Sequence, residues 1–130
     1  MTQPEAPSVV GLPRVLLRLE GLIVLALAIL LYAKVGRSWW LFAILLLAPD
    51  LGMLGYVRGT RVGAVAYNAF HTYVAAGTLA LVGVIAEHEL TIALALIWFA
   101  HIGFDRALGY GLKYPEGFGS THLGRIGRRG

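Results

Sequence analysis

The chain has 130 residues, of which 58% are hydrophobic and 14% are charged, and its formal net charge is +4 at pH 7. A soluble domain has about 25% charged residues, so this composition excludes an ordinary water-soluble protein and indicates a membrane protein. The chain has no cysteine, which excludes a disulfide framework, a thiolate metal site and a cysteine nucleophile.

The sequence reads as a short tail followed by four apolar runs. Residues 1–13 contain three prolines and show no periodicity, so we expect a disordered N-terminal tail. About 20 apolar residues in a helix cross the roughly 30 Å hydrocarbon core of a bilayer. By this measure the predicted spans are residues 14–34, 38–57, 62–86 and 90–112, followed by a C-terminal tail at residues 113–130.

The connections between the predicted spans are only a few residues long. Such short connections join neighbouring antiparallel helices, because none can cross a bundle. We therefore expect an all-α fold, an integral membrane four-helix bundle in a single domain. Four short helices enclose little volume, so a homo-oligomer could complete a pocket between protomers.

Most basic residues flank the spans on one predicted side of the membrane. They are Arg14, Arg18, Arg58, Arg61, Lys113, Arg125, Arg128 and Arg129, whereas the other side has Lys34 and Arg37 with two glutamates. The positive-inside rule then predicts that both termini are cytoplasmic. Because these residues mark the ends of apolar runs and form no single polar face, we expect the lipid bilayer as the partner and no nucleic acid.

Polar residues inside the spans fall at one predicted depth. Counting 1.5 Å per residue from the cytoplasmic ends places Asp50, Asn68 and Asp105 about 10 Å deep, with Glu20 at a similar level. His71 and His101 lie about 15–17 Å deep on the same count. An ionisable side chain in a membrane is costly and usually faces the bundle interior, so this shared layer predicts a functional site.

The polar layer has the composition of a metal site. His101 and Asp105 are four residues apart and Asn68 and His71 three apart, so each pair shares a helix face. Imidazoles with carboxylates and no sulfur suit zinc, iron or manganese. We predict Asp50, His71, His101 and Asp105 as ligands of a divalent metal.

A metal at this depth suggests a hydrolase acting on a lipid-like or amphipathic substrate. The ion would lower the pKa of a bound water toward neutrality, and Glu20 or His122 would serve as the base or proton shuttle. Asn68, Arg106 and Lys113 are predicted to bind the substrate, since cations near the headgroups suit a phosphate.

Three other interpretations use the same residues. The protein could be a proton-coupled carrier, or a haem protein with His71 and His101 as axial ligands, although carboxylates suit an apolar macrocycle poorly. The third is a structural layer of buried ion pairs, in which Asp50 pairs with Arg18 or Arg106 and the histidines bond between helices.

Several segments together resemble a known family. They are "LRLEG", "SWWLFAILLLAPDLGMLGY", "YNAFHTYV", "IWFAHIGFDRALGYGLKYP" and "THLGRIG", which extend from Leu17 to Gly127. They are similar to a bacterial family of small integral membrane proteins catalogued as domain of unknown function 4260. The resemblance implies a membrane fold in the bacterial inner membrane and no particular activity. Its segments include Glu20, Asp50, His71, His101, Asp105 and His122.

A fainter similarity is to membrane-bound metal-dependent hydrolases. Those enzymes also place aspartates and histidines on a small number of spans. This chain lacks their paired-histidine stretches, so the similarity adds little to the hydrolase hypothesis.

Overall fold

The computed structural model describes residues 7–115 and 119–125. The helical elements are α1 (Gly11–Val35), α2 (Trp39–Leu45), a 3-10 helix (Ala48–Arg58), α3 (Thr60–His71), α4 (Tyr73–Ile85) and α5 (Glu89–Leu108). A short antiparallel hairpin follows, with strands β1 (Ser120–Thr121) and β2 (Gly124–Arg125). The described chain is therefore mainly helical.

Three helical segments are long and apolar enough to cross a membrane. They are Gly11–Val35, Trp39–Arg58 and Glu89–Leu108. A fourth span is present if α3 and α4, which meet at a bend of 40°, are counted together. These segments indicate a membrane protein, whereas the antiparallel bundle and the cytoplasmic termini stay predictions.

Two of the predicted spans, 38–57 and 62–86, change helix geometry along their length. The second changes from α2 to a 3-10 helix, and Pro49 lies in the first turn of that helix. Proline has no N–H and cannot continue a regular helix. The third is broken at Thr72, whose backbone is extended and whose side chain accepts from the Val74 N–H at 3.3 Å as the N-cap of α4.

Glycines allow α1 and α5 to approach closely. A Cβ added at Gly103 would lie 2.6 Å from the Gly21 carbonyl oxygen and 2.8 Å from the Leu25 nitrogen. A Cβ at Gly21 would meet the Arg106 side chain and the Gly103 carbonyl oxygen. The two helices therefore pack backbone against backbone, as small residues permit within membranes.

An aromatic cluster at the far end of the same helix pair closes the hydrophobic core. Tyr32 of α1 is fully buried, packs with Ala93 and Ile97 of α5, and contacts the rings of Trp39 and Phe42 at 5.0 Å. Its hydroxyl donates to the Ser38 carbonyl oxygen at 2.6 Å. This contact satisfies the one polar atom of a buried tyrosine ring.

The parts of the two predicted tails that the structure describes contact each other and the rest of the chain. Lys113 pairs with Thr121, and Leu123 is fully buried, so residues 113–115 and 119–125 fold back against the helices. The Val9 N–H donates to the His122 carbonyl oxygen at 2.7 Å. Helix α1 begins at Gly11, and the disorder predicted for residues 1–6 lies outside the described residues.

Candidate metal centre

Three elements bring four ligand-type side chains to one point. Asp50 comes from the 3-10 helix, His71 is the last residue of α3, and His101 and Asp105 lie one turn apart on α5. One ligand atom from each residue lies within 4.8 Å of all the others. The structure thus brings together the four residues predicted as metal ligands.

The ligand atoms of this cluster have the spacing of a coordination shell. Nε2 of His71 lies 3.0 Å from Oδ1 of Asp50 and 3.5 Å from Oδ2 of Asp105. Nε2 of His101 lies 3.2 and 3.3 Å from the same two oxygens. With zinc bond lengths of about 2.0–2.1 Å, the edges of a tetrahedron are about 3.3–3.4 Å. The four side chains are therefore close enough to hold one metal ion with two nitrogen and two oxygen ligands.

Backbone carbonyls set the orientation of both imidazole rings. Nδ1 of His71 lies 2.8 Å from the Tyr67 carbonyl oxygen, and Nδ1 of His101 lies 2.5 Å from the Leu46 carbonyl oxygen. A carbonyl only accepts, so each Nδ1 carries the hydrogen and donates it. In each neutral ring Nε2 then has its lone pair free for a metal, the arrangement usual for histidine ligands.

These tautomers leave the centre of the cluster rich in electron pairs. The two Nε2 atoms lie 3.0 Å apart, and the carboxylate oxygens of Asp50 and Asp105 face them. Lone pairs and negative charges at this distance repel one another in a buried site unless a cation lies between them. The chemistry of the donor set therefore requires either a metal ion or protons on the imidazoles or carboxylates.

The cluster is closed on most sides and opens at Asp50. His71, His101 and Asp105 are buried, whereas the Asp50 side chain is 36% exposed. An apolar cavity of about 290 Å³ lies along the chain on both sides of Asp50. Its lining includes Pro49, Leu51, Phe70 and Trp98. Asp50 itself does not line this cavity, although its two chain neighbours do.

Other side chains hold the ligands in place. The Tyr67 ring stacks on the His71 ring, with centroids 3.7 Å apart and an interplanar angle of 5°. Nζ of Lys113 lies 4.7 Å from the centroid of that Tyr67 ring. Sequence reasoning missed Tyr67, although its position four residues before His71 is a usable signal. It also missed the Leu46 carbonyl, which no side-chain pattern reveals.

The predicted substrate-binding residues have other contacts. Asn68 donates from Nδ2 to the Lys113 carbonyl oxygen at 2.8 Å and accepts the Lys113 N–H at 2.6 Å. Arg106 is buried and donates to the carbonyl oxygens of His71 at 2.8 Å and Tyr110 at 2.9 Å. Asn68 and Arg106 thus join α3 to the end of α5, and Lys113 is also buried. Asn68 is half-buried, and the substrate-binding role of these three residues stays a prediction.

The two residues predicted as base or shuttle lie outside the cluster. Glu20 is exposed on α1 and is not among the residues that converge at the described metal centre. His122 lies in the hairpin, where its Nδ1 accepts the Leu112 N–H at 2.9 Å. Their role in proton transfer at the metal centre stays a prediction.

Burial affects two ionisable groups beyond the end of α5. It lowers the pKa of Lys113 to about 8, against the smaller opposing effect of the Asp105 charge. Burial also lowers the pKa of His122, and the nearby Arg106 charge lowers it further. In both cases the low-dielectric surroundings disfavour the charged form.

The spacing of the histidines disagrees with the haem interpretation. Two axial ligands on opposite faces of an iron lie about 4 Å apart, with the macrocycle between them. The two Nε2 atoms are only 3.0 Å apart and share their space with carboxylates. A haem therefore cannot be placed between His71 and His101 in this arrangement.

Comparison with known proteins gives a family and no activity. The family model described as "Domain of unknown function (DUF4260)" matches residues 14–126. No curated protein and no solved structure matches the chain. Any functional conclusion therefore depends on the geometry of the metal centre.

Proposed function

We propose that this chain, which belongs to the DUF4260 family, binds one divalent metal ion within the membrane and uses it to hydrolyse a lipid-like or amphipathic ester or phosphoester. One observation carries the proposal: four acceptor atoms converge while backbone carbonyls fix the protons on the outer side of both imidazoles. The nitrogen and oxygen ligands suit zinc, iron or manganese.

The exposed ligand supports the hydrolytic part of the proposal. A bound ion of this kind lowers the pKa of a bound water toward neutrality. Asp50 is the ligand that substrate can reach, and its exposed carboxylate is better placed to accept a proton than Glu20 or His122. The apolar cavity along Pro49 and Leu51 would hold the hydrophobic part of the substrate.

Metal analysis of the detergent-purified full chain tests the binding site. We expect about one zinc, iron or manganese ion per chain without added chelator, and loss of that ion in His101→Ala and Asp105→Asn. The matched control is His88→Asn, because His88 is an exposed N-cap outside the cluster and asparagine also caps helices. A metal content in the wild type no higher than in His101→Ala would contradict the proposal.

Hydrolysis needs a separate test. We expect the metal-loaded protein to cleave chromogenic esters or phosphoesters with a long acyl chain faster than short-chain analogues, and His101→Ala to abolish cleavage. If the protein binds stoichiometric metal but cleaves neither series, the metal site is supported and the hydrolase hypothesis is rejected.

A carrier of divalent cations is the second candidate, and the broken helices favour it. Two helical segments are interrupted next to the cluster, at residues 46–47 and at Thr72. Interrupted helices at membrane depth line cavities, and in transporters they form ion sites. Zinc uptake into proteoliposomes that contain an indicator dye, abolished by Asp105→Asn, would favour the carrier. Hydrolysis without uptake would favour the enzyme.

The cluster could also hold protons and serve as a buried ion-pair layer. In that case purified protein contains no metal, and replacing both His71 and His101 by leucine leaves function in the cell unchanged. Such a layer would fix helix register without chemistry.

A further inference from the structure

Two arginines of α1 meet the end of α5 at one point. Nε of Arg14 donates to the Leu123 carbonyl oxygen at 2.6 Å, and Nε of Arg18 donates to the Ala107 carbonyl oxygen at 3.0 Å. A Cβ built on Gly109 would lie 3.5 Å from Nη2 of Arg14 and 3.7 Å from Nε of Arg18. The two guanidinium groups therefore border the same space beside Gly109.

This pair of positive charges has no acidic partner in residues 7–115 and 119–125. The described ion pairs join Arg37 to Glu89 and the histidines to the carboxylates of the metal centre, and none includes Arg14 or Arg18. Each arginine uses Nε for the backbone contact, which leaves its terminal nitrogens as donors. Phosphate oxygens accept from such donors at about 2.7–2.9 Å, so one phosphate between the two groups can contact both.

An apolar groove that includes Arg18 of this pair runs along α1. It has a volume of about 200 Å³ and is lined by Val15, Arg18, Leu19, Leu22 and Ala107. The three apolar side chains from α1 are half-exposed. From residue 15 to residue 22 the groove is about 10 Å long, which matches the upper part of an acyl chain.

We propose that Arg14, Arg18 and this groove bind an anionic phospholipid with a phosphodiester headgroup, such as phosphatidylglycerol. The two cations have no acidic partner among the described residues and attract the phosphate. A net negative lipid is favoured because a zwitterionic headgroup brings its own cation toward the arginines. The groove favours a lipid over free phosphate, because free phosphate gains nothing from contact with apolar side chains. This site is separate from Arg106 and Lys113, for which an anion-binding role was predicted, and it does not depend on the metal centre.

Native mass spectrometry of the full chain released from detergent micelles tests the proposal. We expect short-chain phosphatidylglycerol to stay bound at least fivefold more than phosphatidylcholine of the same chain length. The double variant Arg14→Gln/Arg18→Gln should lose this preference. The control Arg58→Gln/Arg61→Gln removes the same charge from exposed positions and should keep it. Equal binding of the two lipids, or equal loss in the control, would overturn the site.

A third variant distinguishes binding of a lipid from binding of free phosphate and leaves the arginine contacts unchanged. Leu19→Trp fills the groove while both arginines remain, so it should weaken phosphatidylglycerol binding at least fivefold and leave inorganic phosphate binding unchanged. Should Leu19→Trp leave phosphatidylglycerol binding unchanged, the lipid proposal fails. This result also decides the question if the double arginine variant does not fold.

Discussion

His71 and His101 direct their Nε2 atoms at each other across 3.0 Å, and each turns its protonated Nδ1 toward a backbone carbonyl. The carbonyl that holds His101 belongs to Leu46, at the point where α2 ends. There the Asp50 N–H donates to the Leu47 carbonyl oxygen at 3.1 Å, three residues back as in a 3-10 helix. In an α-helix it would donate to the Leu46 carbonyl, which is therefore left available to His101. The end of α2 therefore also orients His101, one of the proposed metal ligands.

The two carboxylates of the centre should differ in their importance for metal affinity. Asp105 is buried and lies one turn from His101, so Asp105→Asn cannot be compensated by solvent. We expect it to weaken zinc binding by more than the 10–100-fold typical of residues that only orient a ligand. Asp50 is partly exposed, and water can take its place, so Asp50→Asn should weaken binding less. Competition titration with a zinc indicator measures both, and the reverse order would contradict this geometry.

Packing between α1 and α5 should not tolerate a methyl group at Gly103. A Cβ there meets the backbone of α1 at 2.6 Å, and backbone cannot rotate away. We expect Gly103→Ala to cost about 1–3 kcal/mol of stability, as overpacked sites do, and to lower the melting temperature in detergent. Gly77→Ala is the matched control, because its Cβ meets only the Phe99 ring at 3.7 Å and alanine favours a helix. Equal melting temperatures for the two variants would contradict the close approach.

Lys113 should make stability depend on alkaline pH. Its pKa falls from the ordinary 10.5 to about 8 in the folded protein, because it is buried. Between these two pH values the unfolded chain binds more protons than the folded chain, so stability rises with pH. Below about pH 8 the cost of burying the charged lysine no longer changes with pH. From pH 7.5 to 9.5 we expect the free energy of unfolding to rise by about 2 kcal/mol and Lys113→Met to remove most of that rise. Chemical denaturation at several pH values measures it, and an unchanged slope in the variant would contradict the assignment.

His122 should contribute to the fold and leave metal content unchanged. Its Nδ1 accepts the Leu112 N–H, so His122→Ala should cost about 1 kcal/mol through the lost hydrogen bond. Because burial lowers the pKa of His122, the charged ring is disfavoured in the folded state. Stability is therefore present above the unfolded pKa of about 6.5 and is lost as pH falls, and the variant should flatten this loss. If His122→Ala instead binds less metal while its stability is unchanged, His122 takes part in the metal site.

The predicted membrane character and the choice of Asp50, His71, His101 and Asp105 could be made from sequence. Hydrocarbon penalises every charged or polar side chain, so apolar runs mark spans, and the exceptions within them mark candidate sites. The spacing of His101 and Asp105 already places both on one face of a helix. Glu20 was grouped with them by depth alone, and depth along a span contains no information about which face a side chain occupies.

Only the tertiary structure decided the details on which chemistry depends. The interruption at Leu46, the tautomer of His101 and the internal contacts of Arg106 involve backbone carbonyls, and every residue has a carbonyl whatever its side chain. The exposure of Asp50 and the position of Arg14 beside the end of α5 depend on how distant segments pack. Sequence patterns report local periodicity and the cost of burial, whereas contacts between segments far apart in the chain are set when the helices pack.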